Sequence, residues 1–245
     1  DEHRLYTRLQ AAYAGMLDHT DRHITRLIDF LEETGQMDNT LILVLSDNGA
    51  SQEGGRNGLI NAMGPFNLRP EPMDEKLARI EDIGGPDTHS NFPHGWAMAA
   101  NTPLKRYKQN THGGGIRDPL IITWPKGIPA RGELRHQFAH CSDVVPTLLD
   151  ILNIEPPSQV NGIEQQPIEG QSFKDSLFNA DAPSRDKPQY FEMFGHRGLW
   201  HDGWKAVAFH PMGTPFDNDQ WELYHLDEDF SESRNLASEQ PERLE

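Results

Sequence analysis

Three scarcities in the sequence limit what the chain can be. It contains one cysteine, Cys141, which excludes an internal disulfide and a zinc site built from several thiolates. It has 22 basic residues against 38 acidic ones and a formal charge of -16. This balance argues against nucleic acid or an anionic membrane as the main partner, because phosphate contacts need clustered Lys and Arg. No apolar run approaches the roughly 20 residues of a membrane-spanning helix, so we expect no membrane span.

The beginning of the sequence also lacks recognisable features. The first residues, D-E-H-R-L-Y, are charged and show no signal peptide. They open inside a predicted helix, with no initiator methionine and no strand before it. We therefore expect the chain to be a fragment whose N-terminal part is missing.

One unbroken apolar run leads directly into a polar turn. Residues 40–53 read T-L-I-L-V-L-S-D-N-G-A-S-Q-E, and the lack of alternation predicts a strand covered on both faces. Ligands of open α/β sheets gather at the carboxyl ends of strands, where Asp47 and Asn48 precede Gly49. A carboxylate and an amide oxygen suit Ca²⁺ or Mg²⁺. Asp-Asn-Gly is equally a turn signal between strands, so these residues alone leave both interpretations open.

The remaining patterns predict an α/β fold, with a mixed, largely parallel sheet flanked by helices and a small C-terminal antiparallel sheet. Apolar residues recur every three or four positions from Leu5 to Leu31, which predicts one long amphipathic helix, and Gly35 suits its end. A second apolar strand is predicted at 120–124 and a helix at 144–152. Four short segments rich in aromatic residues predict the antiparallel strands: 190–194, 198–200, 205–209 and 221–226.

These elements divide the chain into two predicted domains. Residues 1–155 form part of an α/β domain, and residues 156–245 form a small α+β subdomain. Within the first domain, residues 50–103 are rich in glycine and proline and predict a long irregular segment, with one short helix at 73–83. A segment of this length inside a compact domain is usually a functional lid or disordered.

Four segments carry a resemblance to a known family. The first three are L-I-L-V-L-S-D-N-G-A, then N-T-P-L-K-R-Y-K-Q-N-T-H-G-G-G-I-R-D-P-L-I-I-T-W-P, then H-C-S-D-V-V-P-T-L-L-D-I. In this order they resemble the C-terminal half of type I sulfatases, particularly the bacterial arylsulfatases. The tail, W-E-L-Y-H-L-D-E-D-F-S-E-S-R-N-L-A, is similar to that family's closing strand and turn. The resemblance implies an incomplete alkaline phosphatase-like fold, with residues 1–155 belonging to the catalytic domain, and hydrolysis of a sulfate monoester.

The resemblance also implies roles for individual residues. Asp47 and Asn48 match the acid and the amide that supply two Ca²⁺ ligands in sulfatases, with Mg²⁺ as the second metal to consider. Lys108 matches the lysine that contacts the sulfate, so Asp47 and Lys108 are the expected catalytic residues. His112 is a candidate donor to a sulfate oxygen, although a structural histidine fits its position equally. A metal and a cation aimed at the sulfate oxygens stabilise the charge of the transition state.

The sequence departs from the family in two places. The motif C/S-x-P-x-R, whose Cys or Ser is oxidised to the formylglycine nucleophile, does not occur. The residues that follow Cys141 include neither the proline nor the arginine of the motif, and we interpret this cysteine as a packed small residue. The family's usual T-H-E-G-G reads T-H-G-G-G, with Gly113 in place of the acid, so any anchoring by that acid is absent or replaced. We expect formylglycine and the other metal ligands on the missing N-terminal half, and no activity for the isolated chain.

Three functions are compatible with this sequence. The first is metal-dependent hydrolysis of a small-molecule sulfate ester, with the N-terminal half of the same enzyme as partner. The second is a phosphodiesterase or phosphonate monoester hydrolase of the same superfamily. The third is a non-catalytic binding module, which the missing nucleophile favours and the retention of Asp47, Asn48 and Lys108 disfavours.

Two further expectations follow from the family and from the long segment. The location of many sulfatases leads us to expect that this protein is periplasmic or secreted. His94 and Trp96, at the edge of the long segment, are candidates for contact with substrate.

Overall fold

The structure is a computed structural model that describes all residues from 1 to 245. The helices are α1 (Glu2–Glu33), α2 (Met63–Phe66), α3 (Met73–Ala78), α4 (His94–Ala100), α5 (Gly113–Ile116), α6 (Val144–Leu152), α7 (Lys174–Phe178) and α8 (Pro241–Leu244). The strands are β1 (Ile42–Leu45), β2 (Leu120–Thr123), β3 (Gln159–Val160), β4 (Ile163–Glu164), β5 (Gln189–Met193), β6 (His196–His201), β7 (Trp204–Ala208) and β8 (Trp221–His225). None of the helices is both long enough and apolar enough to cross a membrane.

Helix α1 confirms the predicted long amphipathic helix, but it is buried only near its start. Leu5 and Leu9, one turn apart, are buried against residues of the 50–103 segment. Gly35 follows the helix at a φ of +68°, a left-handed conformation that commonly ends helices. The large apolar side chains of the second half are exposed: Met16, Leu17, Ile24, Leu27 and Phe30.

Strands β1 and β2 form a two-stranded sheet close to the predicted positions. They run antiparallel, with Leu43 opposite Ile122, whereas the sequence predicts a largely parallel sheet. The reason is that an unbroken apolar run indicates burial and does not encode the direction of the partner strand. The prediction that β1 is covered on both faces is also wrong for this chain. Val44 and Leu45 are 40% and 48% exposed, because β2 is the only strand paired with β1.

The long segment after β1 is packed and ordered against α1. Ile60, Ile83 and Phe92 are buried in one cluster with the buried leucines of that helix. The Glu71 carboxylate accepts hydrogen bonds at 2.8 Å from the backbone N–H groups of residues 60 and 61. The predicted helix at 73–83 forms as α3 and a following 3₁₀ turn. The segment therefore forms a packed core with α1, unlike a disordered loop.

Strands β5 to β8 form the predicted C-terminal antiparallel sheet, in the order β5-β6-β7-β8. This sheet and the helices around β1 and β2 confirm the α/β class, while the predicted domain limit at 155/156 stays a prediction. The sheet contacts the first part of the chain directly. Thr111 Oγ1 donates to the Arg197 carbonyl of β6 at 3.0 Å, and Arg185 donates to the buried Asp143 carboxylate at 2.8 and 3.0 Å. The first contact places the sheet against the 105–113 segment, and the second ties the stretch before β5 to the start of α6.

Candidate active site

The turn after β1 carries Asp47 and Asn48, the two predicted metal ligands. Ser46 Oγ donates to the Asn48 carbonyl at 2.9 Å, and Asn48 Nδ2 donates to the Gly49 carbonyl at 3.0 Å. These two bonds fold the turn and use the amide nitrogen of Asn48. They leave the side-chain oxygen of Asn48 and the Asp47 carboxylate for a further ligand.

The glycine of this turn brings the D-N-G motif against the T-H-G-G-G motif. Gly49 N–H donates to the Gly115 carbonyl at 3.2 Å. A Cβ on residue 49 would lie 1.7 Å from the Gly114 oxygen, so only glycine permits this approach. Asn101 holds the same junction, because its Nδ2 donates to the Gly114 carbonyl at 2.7 Å and its Oδ1 accepts from Ala50 N–H at 3.1 Å. Two motifs about 60 residues apart thus form one loop cluster.

Lys108 lies in this loop cluster. Its backbone N–H donates to the Ala50 carbonyl at 3.1 Å, two residues beyond Asn48. Its Nζ donates to Glu53 Oε2 at 2.8 Å, and the two side chains are 27% and 33% exposed. The structure therefore brings the predicted sulfate-binding lysine to the segment that follows the predicted metal ligands.

His112 lies deeper than the sequence suggests. Its side chain is 1% exposed, and its Nε2 lies 3.4 Å from Glu222 Oε2 on β8. Burial lowers the pKa of His112, against the opposing effect of Glu222. Lys105 Nζ donates to the same Glu222 oxygen at 2.7 Å and to the Tyr224 hydroxyl at 2.7 Å. Hydrogen bonds from His112, and then from Lys105, hold the pKa of Glu222 well below its usual value. The imidazole thus joins a charged network against the C-terminal sheet.

A carboxylate from the tail of the chain contacts the backbone of Gly113, the residue that replaces the acid of the family motif. Gly113 N–H donates to Glu232 Oε2 at 2.9 Å, and Lys205 Nζ donates to Glu232 Oε1 at 2.6 Å. A Cβ on residue 113 would lie 3.7 Å from the Glu232 carboxyl carbon. The anchor for this backbone is therefore present, supplied by Glu232 from a segment 119 residues further along.

Asp118 is an acidic residue of this region that the sequence analysis did not single out. Burial, and after it the negative charge of Asp47, raise the pKa of Asp118 to about 6. Asp47 and Asp118 both line a cavity of about 880 Å³ between the β1–β2 sheet and the C-terminal sheet. The signal that could have identified Asp118 is its place two residues before β2, in I-R-D-P-L. No group of three or more His, Cys, Asp or Glu residues converges as a metal site.

Three further residues discussed in the sequence analysis are His94, Trp96 and Cys141. His94 stacks on Tyr107 with 6.4 Å between ring centroids. Trp96 Nε1 donates to the Tyr6 carbonyl of α1 at 3.1 Å, which ties the indole to the helix. Cys141 is exposed, so its interpretation as a packed residue is wrong. The 3₁₀ turn before α6 directs Asp143 inward instead, at 1% exposure.

Two family models match the chain. A sulfatase model covers residues 2–154, and a model described as N-sulphoglucosamine sulphohydrolase, C-terminal, covers residues 105–244. The chain therefore belongs to the sulfatase family.

Individual relatives agree with this assignment. An uncharacterized sulfatase of Schizosaccharomyces pombe is 29% identical over 246 residues, which cover 100% of this chain and 43% of that protein. The arylsulfatase of Klebsiella aerogenes is 26% identical over 79% of this chain and 39% of its own length. The crystal structure of Ps i-CgsB superposes with a TM-score of 0.62 at 24% identity, over 95% of this chain and 40% of that one. The chain thus spans about two fifths of the length of the proteins it matches.

Proposed function

We propose that this chain is the C-terminal part of the catalytic unit of a metal-dependent sulfatase, an enzyme that hydrolyses a sulfate monoester. The observation that carries the proposal is the loop cluster itself. The close approach of Gly49 to Gly114 and the bond from Lys108 N–H to the Ala50 carbonyl hold two hard oxygen donors and a lysine together. This arrangement, in a chain of the sulfatase family, is the one that an anionic ester and its metal would require.

Asp47 and Asn48 would hold the metal, Ca²⁺ or alternatively Mg²⁺. Their oxygens fit such an ion because the hydrogen bonds of the turn leave them available, and because carboxylate and amide oxygens are the donors that these hard cations prefer. Two side chains are fewer than the six to eight oxygens that Ca²⁺ takes. The other ligands would come from the part of the enzyme that precedes this chain. When bound, the metal would supply positive charge at the sulfate oxygens.

Lys108 would neutralise the sulfate or the leaving oxygen as a compact positive charge. We also propose that His112 contributes to sulfate binding; because its Nε2 contacts Glu222, its Nδ1 would make that contact. The nucleophile, an oxidised Cys or Ser, would lie outside this chain, as would the remaining residues that contact the ester. A periplasmic or secreted location is part of the same proposal.

The test is the Asp47→Ala variant of the protein encoded by the complete reading frame. We expect Ca²⁺-dependent hydrolysis of 4-nitrophenyl sulfate to fall by at least about a hundredfold, and calorimetry to show weaker Ca²⁺ binding. Asp150→Asn is the control, because Asp150 pairs with Lys174 at 3.0 Å, outside the loop cluster. Unchanged metal binding and turnover in Asp47→Ala would contradict the proposal. Turnover of a phosphonate monoester but no sulfate ester would favour the phosphonate monoester hydrolase instead.

A further inference from the structure

Glu53 contacts the ammonium group that the proposed function assigns to the sulfate. Its Oε2 accepts from Lys108 Nζ at 2.8 Å, and its Oε1 accepts from Gln109 Nε2 at 3.2 Å. Glu53 belongs to the polar stretch that follows the D-N-G motif, 55 residues before Lys108 in the chain. The sequence analysis gives this residue no role.

The Glu53 carboxylate is fixed by its own segment as well as by the lysine. Ser51 Oγ donates to Glu53 Oε2 at 2.9 Å and accepts from Glu53 N–H at 3.2 Å. Gln52 Nε2 in turn donates to Gln109 Oε1, the amide whose nitrogen contacts Glu53. The Lys108 ammonium holds the pKa of Glu53 below its ordinary value, so the carboxylate is charged at neutral pH. A fixed charged acceptor restricts where the lysine can point.

The ammonium group of Lys108 has three N–H donors. One is used by Glu53, and the lysine side chain is still 27% exposed, so two donors are left for an anion. We propose that Glu53 is a positioning residue for Lys108. The Glu53 carboxylate orients the Lys108 ammonium toward the sulfate ester, and it also competes with the bound sulfate for that ammonium. This inference rests on the proposed role of Lys108.

The competition follows from charge. A carboxylate 2.8 Å from Lys108 Nζ lies close to any sulfate that the same nitrogen binds, and the two anions repel. At a separation of about 6 Å and an effective dielectric constant between about 40 and 80, the repulsion between the carboxylate and the doubly charged product sulfate corresponds to about a ten- to hundredfold change in affinity. The carboxylate therefore weakens retention of the product sulfate while it keeps the lysine in place when the site is empty.

Two variants of the complete protein separate orientation from repulsion. Glu53→Gln keeps the length of the side chain and removes its charge. We expect inorganic sulfate to bind about ten- to hundredfold more tightly, as measured by calorimetry and by product inhibition, while kcat falls. Glu53→Asp keeps the charge and shortens the side chain. We expect sulfate affinity within about twofold of the original while kcat again falls, because the ammonium is no longer held at the same point. Thermal unfolding verifies that both variants are folded.

A double-variant cycle identifies Lys108 as the group through which Glu53 acts. In a Lys108→Met background, Glu53→Gln should no longer change kcat, because no ammonium group is left for the carboxylate to orient. Asp150→Asn, which breaks an ion pair of similar exposure elsewhere, should change neither sulfate affinity nor kcat.

The remaining outcomes overturn the inference in distinguishable ways. If Glu53→Gln binds sulfate no more tightly than the original protein, while Lys108→Met binds it more weakly, the role of Glu53 is refuted and the proposed function stands. A loss of kcat in Glu53→Gln that persists in the Lys108→Met background also removes the positioning role of Glu53. Lys108→Met with unaltered sulfate binding refutes the proposed role of the lysine itself, and the role of Glu53 with it.

Discussion

Two lysine–glutamate pairs in this chain have the same chemistry and opposite surroundings. Lys205 and Glu232 lie 2.6 Å apart with side chains 2% and 1% exposed. Lys108 and Glu53 lie 2.8 Å apart with side chains 27% and 33% exposed. The two pairs have nearly the same separation, but they differ in burial, and this difference suits them to different roles.

The buried pair is committed to structure. Burial lowers the pKa of Lys205, and Glu232 opposes that effect, so each charge depends on the other to remain in the interior. Glu232 also accepts a hydrogen bond from Gly113 N–H, which connects the pair to the glycine motif that follows Lys108 in the sequence. The exposed pair costs little to open, because water can replace either partner. The proposed role of Lys108, in which the ammonium exchanges the carboxylate for a sulfate, requires the more exposed environment.

The largest effect should come from breaking the buried pair on one side. Lys205→Met leaves the Glu232 carboxylate buried without its cation, and we expect the free energy of unfolding to fall by about 3–5 kcal/mol. The double variant Lys205→Met/Glu232→Gln should lose less, since no uncompensated charge remains. Urea denaturation of the complete protein measures both. Equal stability of the single variant and the original protein would remove the contrast between the pairs.

The exposed pair should show the reverse pattern. We expect Lys108→Met to lower kcat/KM for a sulfate ester by about 10²–10³-fold, a loss typical of one donor to a developing charge. Its free energy of unfolding should change by less than about 1 kcal/mol. Steady-state kinetics and urea denaturation on the same preparation make the comparison. A stability loss as large as that of Lys205→Met would mean that Lys108 is structural.

Asp118 extends the comparison to a carboxylate whose charged neighbour is another carboxylate. Its pKa is raised to about 6 from an ordinary 3.8, so the folded chain retains this proton after the unfolded chain has released it. Stability contributed by this group is therefore present below about pH 4 and is lost as pH rises to about 6. We expect Asp118→Asn to raise the free energy of unfolding by about 1 kcal/mol at pH 7, after allowance for solvent screening. Urea denaturation of metal-free protein at acid and neutral pH tests this, and a gain at acid pH alone would contradict it.

The sequence predicted the parts of this molecule that depend on local patterns. Apolar periodicity identified α1, and aromatic-rich segments between turns identified the C-terminal strands. Family motifs predicted a shared site for Asp47, Asn48 and Lys108; the structure brings their segments together, while their roles stay predictions. The direction of the β1–β2 pairing was missed, because a continuous apolar run fits either direction. Glu53 and Glu232 were missed because they act across 55 and 119 residues. Neither interval leaves a periodic signal, so only the fold reveals those partners.

The smallest expected effect is the stability change on neutralising the exposed pair. Glu53→Gln should change the free energy of unfolding by about 0.5 kcal/mol or less, because solvent and salt screen the attraction and the side chains recover freedom when it is lost. Asp150→Asn, whose pair with Lys174 is 47% and 34% exposed, is the matched comparison and should behave alike. High salt should abolish the small difference in both. If Glu53→Gln instead lost several kcal/mol, the carboxylate would be holding the 50–53 segment in place, and any change in turnover would follow from that structural loss.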